Sequence, residues 1–199
     1  MGIVSRGFQG RRGGDSERLP PGQYLTDGFP VLTAGPTPRV DTGEWTFTIT
    51  TETGESRTWS WREFQNLPQE HPHTDIHCVT RWSKFDTDWT GVSLDTLLAD
   101  VDTSADYALA YCYGGYSTNL PLQDLQEGRA WVVHEFEGEP LPAEHGGPAR
   151  LFVPHLYFWK SAKWVRGIRL LDHDGPGFWE QAGYHDYGDP WREQRYRGD

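Results

Sequence analysis

The chain has 199 residues, of which 24% are charged and 36% hydrophobic, as is usual for one globular domain. Its net charge of −11 disfavours nucleic acid and anionic lipid as partners, because like charges repel. No apolar stretch approaches the ~20 residues that span a bilayer, so we predict no membrane insertion and a cytoplasmic location. Ten Trp, nine Tyr and nine Phe are many for this length, and such side chains often line ligand pockets.

The first predicted elements are a hairpin and a short helix. Apolar side chains alternate along residues 45–49, and a turn around Gly54 lets the chain return as a second strand. Ser60 and Glu63 have the spacing of a capping box, and Pro68 ends the helix that they begin. These residues open the predicted fold, and residues 1–18 before them are expected to form a flexible arm.

The later elements are short strands with few helices between them. Helical spacing of leucines predicts a second helix over 93–101, and a third is expected to start at Pro121. Strand-like runs lie at 75–80, 107–114, 130–136, 149–155 and 164–172. Because strands outnumber helices without regular alternation, the predicted class is α+β with mixed β-sheets. Residues 19–199 are predicted to form a single domain with a C-terminal tail that wraps its surface.

The cysteine at position 78 is the first candidate for chemistry. Cys78 and Cys112 are the only cysteines, which favours a reducing compartment over a disulfide framework. A thiolate is a nucleophile and a soft metal ligand, and Arg81 and Lys84 would favour the ionised form if they faced Cys78. The alternative interpretation is a cysteine buried in a strand as a small hydrophobe.

A second candidate is a cluster of possible zinc ligands, His71, His73, His77 and Cys78. Its spacing is not that of a usual zinc finger, and the alternative is a solvated loop that contains histidines. No nucleotide-binding P-loop and no dinucleotide fingerprint occurs in the chain.

A third candidate is a basic stretch, residues 150–169, without Asp or Glu. Five positive charges there would attract an anion in this acidic chain, and lysine, serine and backbone N–H groups are the donors that a phosphate needs. We favour Arg150, Lys160 and Lys163 as functional, and leave Arg166 and Arg169 open between a functional role and an ordinary outward-facing strand.

Three stretches together resemble the sulfite oxidase superfamily of molybdopterin enzymes. They are "CVTRWSKFDTDWTGVSLDTLL", "RLFVPHLYFWKSAKWVRGIRL" and "GFWEQAGYHDYGDPW". The resemblance covers roughly residues 19–195 and is closest to small, haem-free bacterial members, which are related to the catalytic subunit of periplasmic methionine sulfoxide reductase. It implies a sulfite oxidase-type molybdopterin-binding fold, a molybdenum–pyranopterin cofactor and two-electron oxygen-atom transfer.

The resemblance also implies roles for individual residues. Cys78 would ligate molybdenum. Cofactor-contacting positions would be Leu32, Thr33, Cys112, His145, Arg150, Phe158, Trp159, Lys160 and Lys163. The substrate mouth would hold Arg81, Tyr113 and Tyr116, with Lys84 as a further candidate that is equally well a surface charge.

Two departures from the family pattern narrow the class of substrate that we expect. Leu32, Thr33 and Ala34 replace the Arg-Asn-His run of sulfite-oxidising members, and the Gly-Asn-Arg-Arg sequence after the cysteine is missing. We therefore expect a small-molecule substrate such as a sulfoxide or N-oxide rather than sulfite. The chain has no haem motif, so a separate electron-transfer partner is expected. Two alternatives stay open: a non-catalytic cofactor-binding module and a zinc-binding protein.

Overall fold

The computed structural model describes residues 15–199. Residues 1–14 of the predicted arm lie outside the described residues, and its last four residues form helix α1 (Asp15–Arg18). The Arg18 guanidinium binds the carboxylates of Asp75 and Asp86, so the end of this segment is tied to the domain.

Short strands and very short helices make up the described chain. The strands are β1 (Tyr24–Leu25), β2 (Thr46–Thr50), β3 (Ser56–Ser60), β4 (His73–His77), β5 (Trp82–Ser93), β6 (Tyr107–Cys112), β7 (Ser117–Pro121), β8 (Trp131–Phe136), β9 (Glu139–Pro140), β10 (Arg150–Phe152) and β11 (Val165–Leu171). The other α-helices are α2 (Trp61–Gln65), α3 (Leu94–Leu98) and α4 (Phe178–Gln181). Single 3₁₀ turns lie at Leu122–Leu125, Ala143–His145 and Pro190–Arg192. No helix in residues 15–199 combines the length and the apolar character that crossing a bilayer requires.

The strands form two mixed sheets. The first has the order β1-β5-β8-β10, with β4 also paired to β5 and β9 to β8. The second has the order β3-β2-β11-β6-β7. Most neighbours are antiparallel, but β1 runs parallel to β5 and β2 runs parallel to β11. The α+β class with mixed sheets is therefore confirmed.

The predicted hairpin and the helix after it are confirmed in detail. Thr46 pairs with Ser60 and Thr50 with Ser56, so β2 and β3 close around the turn at Gly54. The backbone N–H of Ser60 donates to Glu63 Oε2 at 2.8 Å, and the Ser60 hydroxyl accepts from Glu63 N, which is the capping box that begins α2. The alternating side chains of β2 are buried, as an amphipathic strand requires.

Other predictions of secondary structure need correction. The helix predicted over 93–101 ends at Leu98, and the helix predicted from Pro121 is only a 3₁₀ turn. The strand predicted over 75–80 ends at His77, so Cys78 lies in a turn and not in a strand. The 12-residue strand β5 was missed, because two aspartates and Gly91 interrupt its hydrophobic pattern and pairing to β4 and β8 stabilises it instead. Within the tail, α4 and one 3₁₀ turn interrupt an otherwise irregular path.

Candidate active site

Loops from both sheets enclose one cavity of about 490 Å³. Ten of the residues that the sequence singles out line it: Leu32, Thr33, Cys78, Tyr113, Tyr116, His145, Arg150, Phe158, Trp159 and Lys163. They come from five separate parts of the chain, so the fold gathers residues that are distant in sequence.

A tight turn between β4 and β5 positions Cys78. The backbone N–H of Arg81 donates to Cys78 O at 3.0 Å, and the backbone N–H of Cys78 donates to Trp82 O at 2.8 Å. Arg81 has a φ of 77°, a left-handed conformation that is uncommon for a residue with a side chain. The turn is thus held by hydrogen bonds at both ends, and it presents Cys78 to the cavity.

The thiol of Cys78 is nearly buried, with 7% of the residue exposed. Burial raises its pKa, because a thiolate is poorly stabilised away from water, while hydrogen bonds from Thr80 and the charges of Arg150 and Lys163 lower it. The Cys78 Sγ and Thr80 Oγ1 atoms are 3.2 Å apart. Burial outweighs these charges and favours the thiol in the cofactor-free protein, so a bound metal would have to replace the thiol proton to form the thiolate.

Arg150, at the start of β10, is a buried cation without a carboxylate partner among the described residues. It is 1% exposed, donates to the carbonyls of His145 (2.8 Å) and Ser161, and stacks on the Phe158 ring at 4.0 Å. Its buried Nε–H has no hydrogen-bond partner in the part of the chain that the structure describes. Burial lowers the pKa of Arg150 to about 9. An uncompensated guanidinium costs free energy in the protein interior, so its place on a cavity wall suits an anionic ligand.

Lys163 and His145 line the same cavity as Arg150. Lys163 Nζ donates to the carbonyls of Leu32 (2.7 Å) and Glu144 (2.6 Å), and burial lowers its pKa to about 8. The His145 ring stacks on Phe29 with 3.9 Å between centroids, and its buried Nδ1 forms no hydrogen bond with any of residues 15–199. Burial and the neighbouring cations lower the pKa of His145, which favours the neutral ring.

Gly146 allows these groups to converge. Its φ of 111° suits glycine alone, and a Cβ there would lie 3.0 Å from Lys163 Cα and 3.1 Å from Arg150 Cβ. The backbone therefore passes between the two cations only because position 146 has no side chain.

The mouth of the cavity is mainly aromatic and apolar. Phe178 and Trp179 of α4 lie there with Tyr184. The Phe178 and Trp179 rings pack edge to face with 5.1 Å between centroids, and the Trp179 and Tyr184 rings pack at a tilt with 4.9 Å between centroids. Phe178 and Leu32 are 44% and 48% exposed. The Tyr116 hydroxyl is not available as a proton donor to a ligand, because it donates its hydrogen to Trp159 O at 2.7 Å. Burial also raises its pKa well above the usual value.

Lys160 does not line the cavity. Its ammonium is fully buried and forms an ion pair with Glu180 at 2.7 Å. It also donates to Asn119 O and Oδ1 and to Asp186 O. These oxygens occupy the three N–H groups of the ammonium, so Lys160 has no hydrogen left for a ligand.

Three other residues that the sequence suggests also lie off the cavity wall. Cys112 is buried at the end of β6, and burial raises its pKa to about 12. Arg81 is exposed on the turn after Cys78. The Lys84 ammonium donates to Asp27 O at 3.0 Å, which is a structural role at the surface.

The zinc interpretation of the histidine cluster is wrong. Within residues 15–199, no group of three or more His, Cys, Asp or Glu side chains could hold a metal ion. Each of the three histidines instead contacts a different residue of β5: His71 contacts Thr90, His73 contacts Asp88 and His77 contacts Ser83.

Several cavity residues were missed by sequence reasoning. Thr80 lies two residues after the cysteine, a position from which its hydroxyl can return to the sulfur, and this spacing was available in the sequence. Phe29 carries no pattern that distinguishes it from the other aromatics. Phe178, Trp179 and Tyr184 lie in the third stretch of the resemblance, which gave them no role, and only the path of the C-terminal segment brings them to the cavity.

Comparison with known proteins gives consistent results. Residues 34–179 match the family described as the oxidoreductase molybdopterin binding domain. The uncharacterized oxidoreductase YuiH of Bacillus subtilis (strain 168) is 41% identical over 192 residues, which cover 95% of this chain and 97% of that protein. The catalytic subunit MsrP of the protein-methionine-sulfoxide reductase of Gluconobacter oxydans (strain 621H) is 32% identical over 132 residues, covering 57% of this chain but only 42% of MsrP.

Among solved structures, the sulfane dehydrogenase SoxCD from Paracoccus pantotrophus has a similar fold. The TM-score is 0.62 at 18% sequence identity, over 69% of this chain and 41% of that one. This likeness confirms the sulfite oxidase-type fold. With the family match over most of the chain and the extensive identity to a bacterial oxidoreductase, it leads to one conclusion: the chain belongs to the oxidoreductase molybdopterin-binding domain family and is a molybdopterin-dependent oxidoreductase of the sulfite oxidase superfamily.

Proposed function

We propose that this chain holds a molybdenum–pyranopterin cofactor through the Cys78 thiolate and transfers an oxygen atom to or from a small neutral substrate. One observation carries the proposal: the Cys78 sulfur and the partly unsatisfied Arg150 guanidinium line the same cavity. A soft ligand for a transition metal and an uncompensated cation for an anionic cofactor thus occur together.

The residues present fit this group. The cofactor carries a phosphate, and the cavity is lined by Arg150, a cation whose buried Nε–H is unsatisfied among the described residues, and by Lys163, whose ammonium keeps one N–H beyond its two carbonyl acceptors. His145 lines the same cavity, and its buried Nδ1 is likewise unsatisfied within residues 15–199. Cys78 would hold the metal, while these three side chains would orient and neutralise the organic part.

When bound, the cofactor supplies two-electron chemistry: a substrate that loses an oxygen atom takes up two electrons, and with two protons the oxygen leaves as water. The protein's own groups bind and shield. Arg150 and Lys163 stabilise negative charge next to Cys78, since both lower the pKa of its thiol. Phe178, Trp179 and Tyr184 line the mouth of the cavity and limit the access of water.

The mouth favours a neutral oxo compound over sulfite. Arg150 is deeply buried, Arg81 lies off the cavity wall, and the large exposed side chains of the mouth, Leu32 and Phe178, are apolar. Leu32 and Thr33 occupy the positions where the resemblance places an anion-binding run. The Lys163 ammonium, which bonds to Leu32 O, is assigned to the cofactor phosphate, so an oxyanion would enter without a cation of its own, whereas a sulfoxide or an N-oxide would need none. The similarity to a protein named as a methionine-sulfoxide reductase subunit supports this substrate class.

We also propose a separate electron-transfer partner and a cytoplasmic location. The two cysteines of the chain are too few for an iron–sulfur cluster held by four thiolates, so electrons would arrive from another protein. Both thiols are free, as expected in a reducing compartment. Fractionation of the native cell checks the location, and recovery outside the cytoplasm would contradict it.

Replacement of the two cysteines tests metal ligation. Cys78→Ser should remain folded but lose redox cycling of molybdenum, whereas the matched variant Cys112→Ser should retain it, because Cys112 does not line the cavity. Molybdenum per chain by elemental analysis and the Mo(V) electron paramagnetic resonance (EPR) signal are the readouts. Wild-type signals from Cys78→Ser would overturn the ligand assignment.

A substrate panel tests the reaction. The loaded enzyme should reduce dimethyl sulfoxide, aryl sulfoxides or trimethylamine N-oxide with a chemical electron donor, and should leave sulfite unoxidised. Turnover of sulfite alone would contradict the proposed substrate class. Full metal content without turnover of any compound would instead favour the non-catalytic cofactor-binding module.

A further inference from the structure

We propose that Thr80 is a positioning residue whose hydroxyl donates a hydrogen bond to the Cys78 sulfur and thereby raises the reduction potential of the bound metal. The inference rests on the proposed ligation by Cys78. It assigns to Thr80 a role that the resemblance to known enzymes does not supply.

The turn after β4 determines this contact. Cys78 and Arg81 are the first and last residues of the turn, closed by the hydrogen bond from Arg81 N to Cys78 O. This geometry brings the side chain two residues after the cysteine back over it, and Thr80 Oγ1 lies 3.2 Å from Cys78 Sγ. Thr80 also lines the cavity, so the contact lies at the cavity-facing side of the turn.

The direction of the hydrogen bond follows from the chemistry of the sulfur. In the free protein, either the thiol or the hydroxyl can donate. A sulfur that ligates a metal is a thiolate and has no proton to donate, so the hydroxyl of Thr80 must then be the donor. Metal binding therefore converts an ambiguous contact into a charge-assisted hydrogen bond with one direction.

Such a hydrogen bond would change the reduction potential of the bound metal through its sulfur ligand. A hydrogen bond to a thiolate withdraws electron density from the sulfur, so the sulfur donates less to the metal and the reduced state becomes more favourable. The Thr80 hydroxyl is the one side-chain group in the described chain that forms a hydrogen bond with Cys78 Sγ. Arg150 and Lys163 also lower the pKa of the Cys78 thiol, but they do so through their charge.

Two substitutions at Thr80 separate the effect of its hydroxyl from the effect of its side-chain shape. Thr80→Val keeps the branched shape and removes the donor, whereas Thr80→Ser keeps the donor and removes a methyl group. Thr80 is exposed in the cofactor-free protein, so neither change disturbs a packed core. Both variants are tested as purified, metal-loaded protein, with an EPR-monitored redox titration of the Mo(V) signal, which arises from loaded molecules alone.

The midpoint potential of Thr80→Val should shift to a more negative value, and that of Thr80→Ser should stay at the wild-type value. An unchanged potential in Thr80→Val, or an equal shift in both variants, would overturn the role of the hydroxyl. Cys78→Ser distinguishes this failure from a failure of the proposed ligation. If Cys78 is the ligand, its replacement alters the Mo(V) spectrum whatever Thr80 does; an unaltered spectrum would overturn both proposals.

Discussion

The side chains of Lys160 and Glu180 form an ion pair inside the protein, with 2.7 Å between Nζ and Oε1 and no solvent exposure of either side chain. Glu180 Oε1 also accepts from Trp159 Nε1 and from Thr118 Oγ1, both at 2.9 Å. The pair thus joins α4 to β7 and to the segment that carries Trp159. It anchors the aromatic side of the cavity mouth without taking part in the cavity itself.

Removing one member of this pair should destabilise the protein. Lys160→Met leaves the Glu180 carboxylate buried without its counter-ion, and we expect a loss of about 3–5 kcal/mol in the free energy of unfolding. Urea denaturation of the cofactor-free protein is the measurement. Lys160→Met combined with Glu180→Gln should recover part of the loss, and a single variant as stable as wild type would contradict a structural role for Lys160.

Lys163→Met is the matched control at the neighbouring lysine. Lys163 is half-buried and bonds only to carbonyls, so we expect a cost of about 1 kcal/mol in the cofactor-free protein. Its pterin content should fall, because an ammonium on the cavity wall is lost. A large loss of stability with unchanged pterin content would reverse the roles assigned to the two lysines.

Arg150→Met should reduce the affinity for the cofactor. Hydrogen bonds to charged groups contribute roughly 1.5–3 kcal/mol, so binding should weaken by roughly 10- to 100-fold. Pterin fluorescence per chain after acid release measures occupancy. Arg169→Met is the control, since Arg169 is exposed and stacks on Tyr111 away from the cavity; equal losses in both variants would indicate a general effect of charge.

Protonation of His134 should contribute to acid destabilisation. The His134 ring packs against Trp61 and Phe64, and burial lowers its pKa from 6.5, although Glu135 partly opposes this. As the pH falls below 6.5, the unfolded state therefore takes up a proton that the folded state resists, and stability declines until the pH reaches the lowered folded-state pKa.

His134→Gln removes this titration and should keep a hydrogen bond to Gln69. Stability should fall less steeply in this variant than in wild type between about pH 7 and about pH 5, as measured by urea denaturation across that range. The exposed His173 is the control site, and His173→Gln should follow the wild-type curve. A steeper decline in His134→Gln would contradict the assignment.

Gly91→Ala should disrupt the centre of the first sheet. A Cβ at this position would lie 2.3 Å from Val132 O and 2.6 Å from Val133 Cα, and we expect a cost of about 1–3 kcal/mol or more. Thermal unfolding measures it. At Gly35 a Cβ would meet no atom of the described residues within 4 Å, so Gly35→Ala should change stability by no more than about 0.5 kcal/mol.

Local patterns were sufficient for the elements whose stability is local. The hairpin of β2 and β3 and the capping box of α2 follow from alternation and from the Ser60–Glu63 spacing, because the interacting residues are close in the chain. Strand β5 depends on its neighbours, so its own residues do not predict it. The resemblance of three separated stretches identified the family and assigned positions to residues such as Cys78 and Arg150.

Only the tertiary structure distinguishes the roles of three cations that lie close together in the sequence. In sequence, Arg150, Lys160 and Lys163 form one basic patch, and every member is equally suited to an anion. Charge type and spacing can thus be read from the chain, but the partners of a charge cannot. Folding pairs Lys160 with Glu180 from a distant segment and leaves Arg150 without a carboxylate partner within residues 15–199, since burial and long-range contacts determine which charge is compensated.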